Sequence, residues 1–568
     1  MKGRVTAIQQ HGVTGGDAAA EKRIDFSYDA DGQYATTTRY ADLAGTELVA
    51  TATYSFDDAY QLVGLTYTKG TTTLASYNYT FDAAGNMTSM TTVDGTTNYT
   101  SDATGQLTAA GSDTYAYDSN GNRTTANGST YVTGVNNELL DDGTYTYTYD
   151  AEGNRLTKTD KATGAETDYT WDYRDRLSSV TFKDGSGTVT ETVYYQYDAF
   201  NHLVGETVSV PGQAAQETVW VYDRGQIVSQ FDGTGTLTAN NLSHRYLWNP
   251  QAVDQLFADE QLSPLPPGEG QGEGYDLTTP GNVLWALTDH ENSVRDLATY
   301  DPGTDVTTIA NHRVYDAYGN LTSQTNAALD SLFGYTGRQF DQVTGLQNNL
   351  NRWYDPAVGR WLSEDPLSFG GGDSNLYRYV GKNPIMYVDA TGLQNQRPCP
   401  GQPPLVPVKP PPAEPPLVPV PPPAEPPLVP VPPPPPENPP GWIPPENMFP
   451  ESPQAPPSFP PTFGSGSSGW GGPPIISWPQ APPSPPDWWP PCLPWNPQPP
   501  AESWPGHGLP PLMDNPNLPG GPSIPGGSWI PLQPILPPGW NGSGGFMPPN
   551  PLNPSAPWGG GIIIIHPY

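Results

Sequence analysis

Cysteine is nearly absent. The 568 residues hold two, Cys399 and Cys492. Their spacing fits no zinc or haem pattern, so a disulfide-stapled fold is excluded and one tail disulfide or two free thiols remain. Basic charge is scarce. Lys and Arg total 24 against 58 Asp and Glu, for a net charge of −34. Nucleic acid and anionic membrane both demand basic patches, so neither is an expected partner. Long apolar runs are missing too. Nothing approaches the ~18 residues of a membrane span, and the closing Ile562–Ile565 run is far shorter. The opening MKGRVTAIQQHGVTGG has no apolar signal core. Proline is scarce in one part only. Ten of the 72 prolines lie within residues 1–393, and 62 follow Leu393.

The chain therefore reads as two parts. Residues 1–393 are long enough to bury a core and carry −28 of the charge. Residues 394–568 have a composition that cannot build one.

Repeats organise the first part. YDADGQY starts at Tyr28, FDDAYQL at Phe56, FDAAGNM at Phe81 and SDATGQL at Ser101. YDSNGNR follows at Tyr117, YDAEGNRL at Tyr149, WDYRDRL at Trp171, YDAFNHL at Tyr197, YDRGQI at Tyr222 and YDAYGNL at Tyr315. From Asp29 to Asp223 the motif aspartates recur about every 24 residues, with a degenerate copy at Val132. Alternating Thr/Tyr/Val segments such as Thr144–Tyr149 lie between and predict strands. Asp-x-x-Gly-Asn predicts a hairpin turn, with Asp bonding nearby backbone and Gly or Asn taking positive φ. One hairpin cannot bury its own face, so the units must stack into a curving antiparallel sheet. The expected fold class is all-β.

These motifs resemble the YD (RHS) repeats of bacterial Rhs proteins, toxin complex C components and the teneurin shell. A second block extends the resemblance: Arg245–Glu260, Trp285–Leu297 and His312–Leu321, then Phe333–Pro366 and Asn375–Leu393, are similar to the Rhs-associated core. The resemblance implies a spiralling β-hairpin shell, closed or incomplete, with the core at one end. It sets expected boundaries: a lead-in at 1–23, repeats at 24–244, core at 245–393 and tail at 394–568. GEGQGEG (Gly268–Gly274) reads as a flexible insertion near 262–275, because a phosphate loop needs a preceding strand, a following helix and usually a Lys.

The resemblance also implies a site. Autoproteolytic members use two aspartates near a DPxGL-type end motif and are cut after its Leu. The matching residues are Asp365 and Asp389, with cleavage between Leu393 and Gln394. Arg360 matches a basic residue beside the family's site. Ser368 stands where the family has Gly, and Ala390 where it has Pro. Two close carboxylates cannot both ionise easily, so one can activate water while the other stays protonated. The alternative is that both aspartates are ordinary turn residues. No cofactor or metal is expected: counted as calcium loops from Asp29 or Asp118, the twelfth position is Tyr40 or Ser129 rather than Glu. His290 and His312 read as packing or surface hydrogen-bonding residues.

In the tail, Pro403–Glu414, Pro415–Glu425 and Pro426–Glu437 repeat one another and favour extended polyproline II. The rest, rich in Pro, Gly and Trp, is expected to be disordered. The functional expectation is a structural or interaction protein, a shell for surface or secreted display or encapsulation. The alternative is a self-cleaving shell that holds or releases its C-terminal segment as cargo. The expected partner is an unidentified protein or cell-envelope component met through the tail.

Overall fold

The computed structural model describes residues 4–265, 274–398 and 562–567. Two units divide the chain, and the second, Pro407–Pro482, lies wholly outside the described residues. So do both cysteines, the proline repeats and most of the GEGQGEG insertion.

Among the described residues the regular structure is β-strand with a few short 3-10 turns. A 13-stranded antiparallel sheet includes, in chain order, the strands from Val5–His11 to Ser129–Thr130. A 16-stranded sheet continues from Val132–Thr133 to Leu321–Gln324. It passes position 244 without a break, so the start of the core block continues the repeat sheet. The strand Ile562–Pro567 pairs antiparallel with the free side of Val5–His11, Gln9 opposite Ile564.

The repeat turns follow the predicted chemistry. At Asp82, the backbone N–H donates to the Asn86 carbonyl (2.9 Å) and Gly85 N–H donates to the Asp82 carbonyl (3.0 Å). Asp82 Oδ1 accepts the amides of Ala84 (2.8 Å) and Asn86 (2.9 Å). Asp118, Asp150, Asp172 and Asp198 repeat this pattern. Gly85 has φ +80, and Asp175 and Asn201 occupy the equivalent place at φ 56 and 70.

In four repeats the aromatic before the Asp has its own task. Tyr117 Oη donates to Leu107 O (2.7 Å), Trp171 Nε1 to Arg155 O (2.8 Å), Tyr197 Oη to Leu177 O (2.9 Å) and Tyr222 Oη to Leu203 O (2.9 Å). Each acceptor opens the strand after the preceding turn. Successive hairpins are thereby tied by side chains as well as by ladders.

The first sheet packs on the later strands of the second. Ile8, Ile24, Val49 and Leu65 share a core with Leu247, Phe257 and Trp285. Lys22 and Glu260, both fully buried, pair at 2.6 Å between the sheets. Tyr77 Oη donates to Asp296 Oδ2 at 3.0 Å. A second core joins Tyr169, Val180 and Val193 to Phe333, Trp353 and Leu362, which seats the end of the core block against the middle repeats.

Candidate active site

The site is built on a small antiparallel sheet of Gln339–Asp341, Leu346–Asn348, Trp353–Asp355 and Arg360–Trp361. Its central turn closes through Asn349 N–H donating to Arg352 O at 3.0 Å. That turn meets the segment Asp389–Gln394. Asn349 Nδ2 donates to Asp389 O (2.5 Å) and Asn351 Nδ2 to Thr391 O (3.0 Å). Gly392, at φ +69, approaches so closely that a Cβ there would lie 2.7 Å from Asn349 O.

Arg352 holds the two candidate aspartates together. Its guanidinium is buried over the Trp361 ring at 4.3 Å. Nη2 lies 3.0 Å from Asp365 Oδ2 and 3.5 Å from Asp389 Oδ2. Nη1 donates to Leu376 O at 3.2 Å, and Nε donates to Gly392 O. Burial pushes the Asp365 carboxyl up, against the opposing pull of Arg352. Burial lowers the Arg352 guanidinium, opposed by Asp365 and Asp389.

Asp389 faces the end motif. Its Oδ1 accepts the amides of Leu393 (3.1 Å), Gln394 (3.2 Å) and Thr391 (3.3 Å). The Gln394 nitrogen belongs to the Leu393–Gln394 peptide. Just beyond it, Val388 and Gln396 exchange backbone hydrogen bonds of 2.9 and 2.8 Å, which fix the exit of the chain. Asp365 Oδ1 accepts the Leu367 amide at 2.8 Å. Ser368 has φ 51, the left-handed region that glycine tolerates best.

Asp365, Asp389, Leu393 and Gln394 are therefore brought together. Arg360 is placed elsewhere: Nη2 donates to Asn137 O, and the guanidinium stacks over Tyr377 at 4.9 Å. Arg352 is not legible from sequence as a site residue, because it lies far from both aspartates along the chain. Among the described residues no group of three His, Cys, Asp or Glu side chains is arranged to hold a metal ion.

Parts of the chain are similar to known hairpin-repeat proteins. The Teneurin YD-shell family model matches residues 276–385. The tRNA3(Ser)-specific nuclease WapA of Bacillus spizizenii is 29% identical over 229 residues, 39% of this chain and 8% of that protein. The RhsA protein of Dickeya dadantii is 26% identical over 225 residues, 40% of this chain and 14% of that one. The crystal structure of TcdB2-TccC3 without its hypervariable C-terminal region matches with a TM-score of 0.43 at 17% identity, covering 66% of this chain and 21% of that chain. The match thus spans under a tenth of the WapA relative's length. Over part of its length the chain is similar to YD/Rhs-repeat proteins.

Proposed function

We propose that this protein is a Rhs-type β-scaffold that cuts its own backbone between Leu393 and Gln394. One observation carries the reading: Asp389 Oδ1 lies 3.2 Å from the Gln394 nitrogen, while Arg352 ties the same carboxylate to Asp365. Asp389 takes a proton from water, whose oxygen adds to the Leu393 carbonyl carbon. Asp365 is the second carboxyl, whose acid form burial favours, and it polarises the carbonyl when protonated. The C–N bond breaks, and the proton held by Asp389 passes to the Gln394 nitrogen. Arg352 is a positioning residue. The products are the scaffold ending at Leu393 and the separate segment 394–568.

The wider role in this proposal is surface or secreted display, with the proline-rich segment as cargo or as the contact to a protein or envelope partner. Among the described residues no helix is long and apolar enough to cross a membrane. The test is intact mass on freshly expressed protein. Wild type should give two masses joining at Leu393–Gln394, and Asp365→Asn and Asp389→Asn one each. A single full-length mass for wild type overturns the proposal. Arg352→Gln should slow cleavage and displace its pH profile, whereas Arg360→Gln should change neither.

A further inference from the structure

Ile562–Pro567 adds a strand to the first sheet, antiparallel to Val5–His11, with Ala7 to His11 opposite His566 to Ile562 in continuous register. The acceptor strand is fixed from its other side. There it pairs with Lys22–Tyr28, and its Ile8 and Gln10 side chains are buried. A sheet edge presents a row of unpaired N–H and C=O groups, and short edges or charged side chains ordinarily keep other chains off it. Set Ile562–Pro567 aside, and the sheets among the described residues end on six strands. Five of them, Ser129–Thr130, Val132–Thr133, Leu321–Gln324, Gln339–Asp341 and Arg360–Trp361, have four residues or fewer. The sixth, Val5–His11, has seven. In a chain of net charge −34, its sequence VTAIQQH holds no Asp, Glu, Lys or Arg. IIIIHP is equally uncharged, so the pairing meets no like-charge repulsion, and isoleucine is a strong strand former. Pro567 stands opposite Val5, where the register shifts; lacking an N–H, it ends the ladder.

We propose that the Val5–His11 edge is a strand-acceptor site that keeps the segment 394–568 on the scaffold after the backbone is cut. Retention after the cut rests on the self-cleavage proposed above, whereas the pairing itself does not. The segment is tied at its start by the peptide bond to Leu393 and the Val388–Gln396 backbone pair, and again at Ile562–Pro567. Cutting removes the peptide bond and leaves the added strand as the larger hold. Main-chain hydrogen bonds supply it, so release requires stripping the strand or displacing it with another extended, uncharged chain.

The test is sedimentation velocity on the full chain with a site-specific protease sequence inserted between Val406 and Pro407. Fragments then arise whether or not the chain cuts itself, and intact mass records self-cleavage separately. The released fragment also lacks Gln396, so the added strand alone is tested. Digested protein is run at about 100 μM, which keeps a complex of lower Kd assembled. Wild-type fragments should sediment together. The double variant Ile563→Pro with Ile564→Pro should free the fragment 407–568. Alternate residues of an antiparallel strand aim their N–H at the same neighbour, so one of the two prolines removes a ladder bond. Ile563→Val with Ile564→Val keeps both N–H groups and should stay assembled. Wild-type fragments that sediment apart would overturn the proposal. So would proline variants that stay assembled, or a species containing two scaffolds, which would mark exchange of the strand between copies.

Discussion

Replacing Tyr197 by Phe removes one hydroxyl and two hydrogen bonds. The hydroxyl donates to Leu177 O at 2.9 Å and accepts from Trp353 Nε1 at 2.8 Å. It therefore joins one repeat to its predecessor and the array to the core block. The ring itself is retained, so no cavity larger than an oxygen atom forms. Each lost bond strands a carbonyl or indole donor that is partly shielded from water, at about 0.5–1.5 kcal/mol. The expected loss is about 1–3 kcal/mol. Urea denaturation followed by tryptophan fluorescence measures it as a lower midpoint. Tyr194→Phe is the control, because Tyr194 is 50% exposed on the same strand. It should stay within ~0.5 kcal/mol of wild type. Equal midpoints for Tyr197→Phe and Tyr194→Phe would refute the idea that these hydroxyls tie the repeats together.

Three further outcomes follow from the geometry. Ser368→Gly should raise stability by about 1 kcal/mol in thermal or urea denaturation, because Ser368 is held at φ 51. The Glu206 carboxyl is pushed up to about 8 by burial, with Asp341 and Asp232 adding to it. The folded state then keeps a proton that the unfolded chain loses above its ordinary carboxylate range, so stability falls as pH rises from that range toward 8. Glu206→Gln should flatten that fall in denaturation curves taken between about pH 5 and 9. Deleting residues 562–568 should speed hydrogen exchange in peptides covering Val5–His11 and leave Leu48–Phe56 unchanged, since among the described residues Ile562–Pro567 pairs only with the first strand.

The hairpin array is largely legible in the sequence because its determinants are local. Asp82 bonds to residues two and four positions on, and Gly85 takes positive φ within the same turn. Asp365, Asp389 and the Leu393–Gln394 bond are reached through motif resemblance, and the structure draws them to one place. Arg352 is not reached, because its two ion pairs cross 13 and 37 residues of chain. The continuation of the sheet past position 244 is hard to read for a related reason, since the later strands keep the ladder but lose most of the repeated Asp-x-x-Gly signature.

Apart from Ile562–Pro567, strand order along both large sheets follows chain order. Most pairings are therefore between neighbours in sequence, and growth can proceed hairpin by hairpin as the chain leaves the ribosome. The contacts that cannot form this way are the cross-sheet ones. Lys22 waits for Glu260, which is synthesised 238 residues later. Until then a lysine destined for complete burial stands in water beside an uncovered sheet face. Co-translational folding should accordingly show an early, locally ordered array and a late docking step, and the emerging face of the first sheet is where a chaperone would find its longest-lived target.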